Sequence, residues 1–92
     1  MDEVEKLRAE LEAELELIVM DVVAGGPNTS MLHKSIRRVI EARLRRHIGS
    51  TLKGYNVEVG SDRSGEGVEV VVVLETRQRA RTIRLRAARS MR

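Results

Sequence analysis

Apolar residues in the first quarter of the chain recur every three or four positions. The recurring residues are Val4, Leu7, Leu11, Leu15, Ile18 and Val22. Successive residues of an α-helix are rotated by about 100°, so this spacing places the whole set on one stripe. The pattern predicts a helix over residues 3–24, and Gly25-Gly26-Pro27 predicts its end.

The C-terminal half of this predicted helix is apolar on nearly every side. Between Leu17 and Val23 only Asp21 is polar, whereas the first half is apolar on one stripe alone. A helix that is apolar all round is usually a buried one. We therefore expect residues 17–23 to be enclosed by other elements or by a second copy of the chain.

A second helical pattern covers residues 30–49. Its apolar stripe consists of Leu32, Ile36, Val39, Ile40, Leu44 and Ile48. The opposite face is mainly basic, with Lys34, Arg37, Arg38 and Arg45. A polar residue among 28–30 can cap the start of this helix, and Gly49 can end it. The short connection predicts an antiparallel helix hairpin, in which the acidic first helix attracts the basic second one.

After Gly54 the apolar period changes to two, which is typical of half-buried strands. Alternation predicts strands over about 54–60 and 67–76, and the glycine- and serine-rich residues between them predict a loop. The second strand carries its main apolar side at Val68, Val70, Val72 and Leu74. Val71 and Val73 lie on its other side, so we expect this strand to be covered twice or to contact a partner chain.

Residues 80–86 predict a third strand with Ile83 and Leu85 facing the core. Apolar positions are even-numbered in the second strand and odd-numbered here, so a turn or bulge near residues 77–80 must separate the two. A basic helix over 79–91 is the alternative interpretation of the same segment.

Together these elements predict an α+β fold of order α-α-β-β-β. In it, a two-helix antiparallel hairpin packs on a three-stranded antiparallel meander in two layers. The chain has 92 residues, which is room for one domain. We expect that domain to span 1–92, with a basic tail over 87–92.

The composition excludes several functional classes. Tyr55 is the only aromatic residue, so there is no platform on which bases or sugars could stack. The chain has no Cys, and therefore no disulfide, thiolate nucleophile or cysteine metal site. No apolar run approaches the ~18 residues of a membrane span, and the acidic N-terminus does not resemble a secretory signal. We expect a cytoplasmic protein without membrane contact.

Residues suited to catalysis or metal binding are sparse. His33 and His47 are fourteen positions apart, about 21 Å along one helix, which is too far to share a metal ion. Arg43 and His47 lie one turn apart in the apolar arc of the second helix, as an anion-binding or acid–base pair would. In the structural alternative, Arg43 reaches acids of the first helix and His47 lies at the helix C-terminus. We expect no enzyme activity, metal or cofactor, and the residues identify no small-molecule substrate.

Charge is unevenly distributed along the chain. Residues 1–21 carry eight acids and two bases, whereas residues 22–92 carry fifteen bases and six acids. Residues 77–92 contain no acid and seven arginines, among them Arg77, Arg79, Arg81, Arg84, Arg86 and Arg89. Alternate residues of a strand lie about 6.6–7 Å apart on one face, close to the phosphate spacing of a nucleic-acid strand. The arginines therefore suggest sequence-independent binding to a nucleic-acid backbone.

The function that the sequence favours is a non-catalytic interaction or scaffold module that forms a homo-oligomer. Val71 and Val73 are the predicted contact residues, because one pair of helices covers only one face of a sheet. The near-ideal first helix and the scarcity of aromatic residues are typical of a designed protein, and the size also suits a small structural subunit. Nucleic-acid binding through the arginines is the alternative function.

Overall fold

The computed structural model describes residues 3–25, 29–61 and 67–88. Within these ranges it describes the backbone, but not the side chains, of 20–25, 29–30 and 88. Its element order is α-α-β-β-β, and the three strands form an antiparallel sheet in sequential order. Both helices pack on this sheet. The predicted α+β fold is therefore confirmed.

The two helices are α1, Glu3–Gly25, and α2, Thr29–Arg45. α2 ends four residues before the predicted position 49, because its last turn tightens. The amide of His47 donates to the carbonyl of Leu44 at 2.9 Å, three residues back rather than four. Gly49, the predicted terminator, has a φ of 92° and reverses the chain toward the first strand.

The strands are β1, Leu52–Ser61, β2, Gly67–Thr76, and β3, Ala80–Ala88. β1 begins two residues earlier than predicted, and β3 extends two residues into the segment predicted as a basic tail. The alternative interpretation, a basic helix over 79–91, is wrong for the described part of that segment. Residues 89–92 lie outside the described ranges.

β1 contains a β-bulge that brings Leu52 into the core. Leu52 pairs with Thr76 and Gly54 pairs with Glu75, so Lys53 is an extra residue on this strand. In a regular ladder Lys53 would face inward and Leu52 outward. Instead Leu52 is buried and Lys53 is exposed. A strict two-residue alternation cannot reveal a strand that starts before the bulge.

β2 and β3 are joined by a two-residue turn, Arg77-Gln78, which is closed by the Thr76 amide donating to the Arg79 carbonyl at 3.2 Å. Because the turn has two residues, each even-numbered residue of β2 pairs with an odd-numbered residue of β3. This explains why the apolar positions change from even to odd numbers between the two strands. The turn needs no glycine, because Thr76 Oγ1 accepts the amides of Gln78 and Arg79, each at 3.2 Å. The same hydroxyl donates to the Arg79 carbonyl at 2.8 Å.

The hydrophobic core lies between the helices and one face of the sheet. α1 packs on β3 and α2 packs on β1, so the central strand lies beneath the groove between them. The buried apolar residues are Val4, Leu7, Leu11, Leu15, Val19, Leu32, Ile36, Ile40, Leu44, Leu52, Val57, Val68, Val70, Val72, Leu74, Ile83, Leu85 and Ala87. Each fully buried Val, Leu or Ile contributes about 1.5–3 kcal/mol to folding.

The C-terminal half of α1 is only partly enclosed by the rest of the chain. Val19 is buried and Ile18 is half-buried, but Leu17 is 64% exposed. Leu17 points away from the sheet, so the chain's own elements do not cover it. The side chains of Met20, Val22 and Val23 lie outside the described set.

Candidate interaction surfaces

One face of the sheet is not covered by the helices. The strand register aligns four rows of residues across it: Gly60–Glu69–Arg86, Glu58–Val71–Arg84, Asn56–Val73–Thr82 and Gly54–Glu75–Ala80. We call these twelve residues the open face. Val71 and Val73 are half-buried at its centre, where alternation predicted them. The residues on both sides of the valines are polar.

Acidic and basic side chains lie on opposite sides of Val71. Glu58 on β1 and Arg84 on β3 are both exposed and both pair with Val71 in the register. Neither has an ion-pair partner among the described residues. Adjacent strands are about 4.8 Å apart, so the backbones at Glu58 and Arg84 are about 10 Å apart. The row through Val71 is thus acidic on β1, apolar on β2 and basic on β3.

The structure separates the arginines that the sequence placed in one row. Arg77 and Arg79 lie in the β2–β3 turn. Arg81 pairs with the buried Leu74 and therefore faces the helix side, whereas Arg84 and Arg86 lie on the open face. Arg89 is outside the described residues. The described arginines do not form one row, because the turn and the alternation of β3 send them to three places.

Three of these arginines line an open cleft of about 390 Å³ at one end of the molecule. The start of α1, the α2–β1 connection and the β2–β3 turn meet there. Its polar lining includes Glu3, Ser50, Thr51, Arg77, Arg79 and Arg81. We call this site the turn cleft. The sequence pattern could not reveal it, because its residues come from the two ends and the middle of the chain.

The contact between the helices uses two acids of α1. Arg43 forms an ion pair with Glu14, and His47 Nε2 lies 3.9 Å from Glu10 Oε2. Arg43 thus reaches an acid of the first helix, as the structural alternative predicted. The pairs stand at the rim of the helix–helix contact, where the side chains are partly solvated.

The other bases of α2 point away from α1. Arg37 lies 3.9 Å from Glu41 of its own helix. Lys34, Arg38 and Arg45 are exposed and have no ion-pair partner within the described ranges. The expected attraction between the helices therefore rests mainly on Arg43 rather than on the whole basic face.

The side chain of His33 is partly buried. It lies beside the apolar stripe of α2, and its Nε2 is buried without a hydrogen-bond partner among the residues that the structure describes. In the described part of the chain, no group of three or more acids or histidines is arranged to hold a metal ion. Within the same ranges, no helix has the length and apolar character needed to cross a bilayer.

Comparison with known proteins gives no precedent for these surfaces. Neither the protein-family models nor the curated proteins nor the solved structures include a match to this chain.

Proposed function

We propose that the protein is a non-catalytic assembly module that pairs with a second copy of itself through the open face. The observation that carries this proposal is the pair Val71 and Val73, half-buried at the centre of a sheet face that no described element covers. Burying a valine completely is worth up to about 1.5–3 kcal/mol. A second sheet packed about 10 Å away would bury both valines.

A two-fold axis parallel to the strands makes the open face complementary to itself. Such an axis places β1 of each copy over β3 of the other, and β2 over β2. Glu58 of one copy then faces Arg84 of the second copy, and symmetry repeats this pair on the other side. The two copies of Val71 meet between the charge pairs, so one row supplies both apolar contact and charge complementarity.

A two-fold axis running across the strands is less favourable. It would place β3 over β3 and bring the exposed Arg84 and Arg86 of both copies onto the same side. Like charges brought together in an interface oppose association. The charge pattern therefore selects the axis parallel to the strands.

Glu69 and Glu75 stand at the two ends of β2 on the open face and would approach their own counterparts. Twisted sheets pack at about −30°, so the strand ends diverge more than the centre. Arg86 lies beside Glu69 in the same row. The Glu75 side chain extends over Gly54, since a Cβ there would be 3.3 Å from Glu75 Oε2. These arrangements limit the repulsion.

The size of the open face predicts weak association. Ten-residue strands are about 33 Å long and three strands span about 14 Å, so the face measures roughly 460 Å² in projection. Stable interfaces bury about 800 Å² on each partner. We therefore expect a concentration-dependent dimer with a dissociation constant in the micromolar range, unless a larger assembly adds further contacts.

The direct test is Val71→Lys, followed by sedimentation velocity over a range of concentrations. The wild type should sediment as a dimer at high concentration and the variant as a monomer with an unchanged circular dichroism spectrum. Val39→Lys is the matched control, because Val39 is an equally half-buried valine on α2. A wild type that stays monomeric at millimolar concentration would refute self-association.

A charge exchange tests the orientation of the two copies. Glu58→Arg and Arg84→Glu should each weaken the dimer, because each replaces two attractive contacts with two repulsive ones. The double variant restores opposite charges and should recover most of the affinity. If both single variants weaken the dimer and the double variant does not recover, the axis is not parallel to the strands.

A further inference from the structure

The turn cleft combines three cations with one anion. Arg77 and Arg79 are exposed, Arg81 is half-buried, and Glu3 of the first turn of α1 lies in the same lining. Neither Arg77 nor Arg79 has an ion-pair partner among the described residues. Two such cations favour binding of a compact dianion.

The lining of the cleft also includes the hydroxyl group of Thr51, which lies beside the carboxylate of Glu3. Thr51 Oγ1 donates to Glu3 Oε2 at 3.5 Å, at the long limit of a hydrogen bond. A bound oxyanion can accept from the Thr51 hydroxyl in place of Glu3. The Glu3 carboxylate adds a negative charge to the lining and therefore opposes anion binding.

We propose that the turn cleft binds a phosphate group carried by a small molecule. Guanidinium groups match the oxygens of phosphate in charge and geometry, and phosphate monoesters carry about −1.5 to −2 charges at pH 7. The cleft volume, about 390 Å³, lies within the ~300–1,000 Å³ of small-ligand sites. The site is separate from the open face, so this proposal does not depend on self-association.

The test is a ¹H–¹⁵N NMR titration of the full chain with inorganic phosphate and with pyrophosphate, at constant ionic strength. Amide signals of Thr51 and of residues 76–81 should shift with saturation, while sodium chloride alone should not shift them. Using Val71→Lys as the background keeps the protein monomeric and separates this result from that of the dimer test. Shifts that do not saturate, or that spread over α2 instead, would overturn the proposal.

Two charge variants make the comparison specific. Arg77→Glu/Arg79→Glu should weaken phosphate binding by at least about tenfold, since the loss of even one charged hydrogen bond lowers an affinity by about that factor. Arg84→Glu/Arg86→Glu makes the same charge change on the open face and should have little effect. Equal losses in both double variants would mean that phosphate responds only to net charge, which contradicts a built site.

Glu3→Gln supplies a variant expected to act in the opposite direction. Removing the negative charge of Glu3 should increase phosphate affinity several-fold, and an unchanged or weaker affinity would contradict binding of the anion beside Glu3. A duplex oligonucleotide is the last arm of the test. If it binds far more tightly than pyrophosphate and Arg84→Glu/Arg86→Glu weakens it as much as the turn variant does, a nucleic-acid backbone, and not a small phosphate, is the ligand.

Discussion

His33 places a polar atom where the described residues offer it no partner. Its Nε2 is buried and makes no hydrogen bond to any of them, in a helix whose apolar stripe is otherwise well packed. A buried polar group without a partner costs about 1–3 kcal/mol. The position therefore lowers stability.

We expect His33→Leu to raise the free energy of unfolding by about 1 kcal/mol, because it removes the unpaired nitrogen while keeping a similar volume. Urea unfolding at low protein concentration measures the change. His47→Leu is the control and should give no such gain, since His47 Nε2 lies near Glu10 at the helix rim. A loss of stability in His33→Leu would show that the imidazole has a stabilising contact.

Thr76 shows how one side chain can replace the usual chemistry of a tight turn. Two-residue hairpin turns normally use glycine or asparagine at positions with positive φ. Here the described residues other than glycine all have negative φ. The Thr76 hydroxyl accepts hydrogen bonds from the amides of Gln78 and Arg79. The turn thus carries Arg77 and Gln78 without glycine, and brings arginines to the cleft.

At the level of elements, the β-bulge determines which side chains of β1 face the helices. Leu52 and Val57 both lie in the core, although one is even-numbered and the other odd-numbered. Because Lys53 is an extra residue between them on β1, both side chains can face the helices. A bulge of this kind also increases the local twist of the strand.

Deleting Lys53 should therefore be tolerated. Leu52 would still pair with Thr76 and Gly54 with Glu75, now in a regular ladder, so we expect stability to change by no more than about 1 kcal/mol. Deleting Asn56 is the control. Either Tyr55 or Val57 would then turn to the open face, at a cost of about 2–5 kcal/mol. Thermal unfolding ranks the two variants, and equal destabilisation would contradict the register.

On the scale of the whole molecule, the one layer of helices leaves the other side of the sheet uncovered by the described residues. The proposed self-association would couple that surface to stability, because a dimer that forms only from folded chains is stabilised by mass action.

If the open face is the dimer contact, the melting temperature of the wild type should rise by about 3–5 °C for each tenfold increase in protein concentration above the dissociation constant. The melting temperature of Val71→Lys should not depend on concentration. Differential scanning calorimetry at several concentrations measures both. Concentration-independent melting of the wild type across the dimerisation range would argue against the proposed contact.

Local periodicity was sufficient to predict the elements and most of the inward-facing residues. It failed at Ile48, which was predicted on the apolar stripe of α2 and is 43% exposed, and at Leu52, which enters the core through the bulge. The helical stripes, the alternation of β2 and the inward positions Ile83 and Leu85 all depend on neighbours within a few residues. The same information placed Val71 and Val73 on the second face of the sheet. Local periodicity did not predict where α2 ends. The tighter last turn after Leu44 depends on where β1 must begin.

The amino-acid sequence by itself determined the order of elements, the composition of the core and the uncovered valines, since these follow from spacing along a helix or strand. Only the tertiary structure decided which charged groups meet. The turn and the cross-strand register place Arg77, Arg79 and Arg81 in the turn cleft with Glu3 of α1, and Arg84 and Arg86 on the open face. The meeting of α1 with the β2–β3 turn, and of Arg43 with Glu14, joins segments far apart in the chain, and no local pattern encodes which of those segments become neighbours.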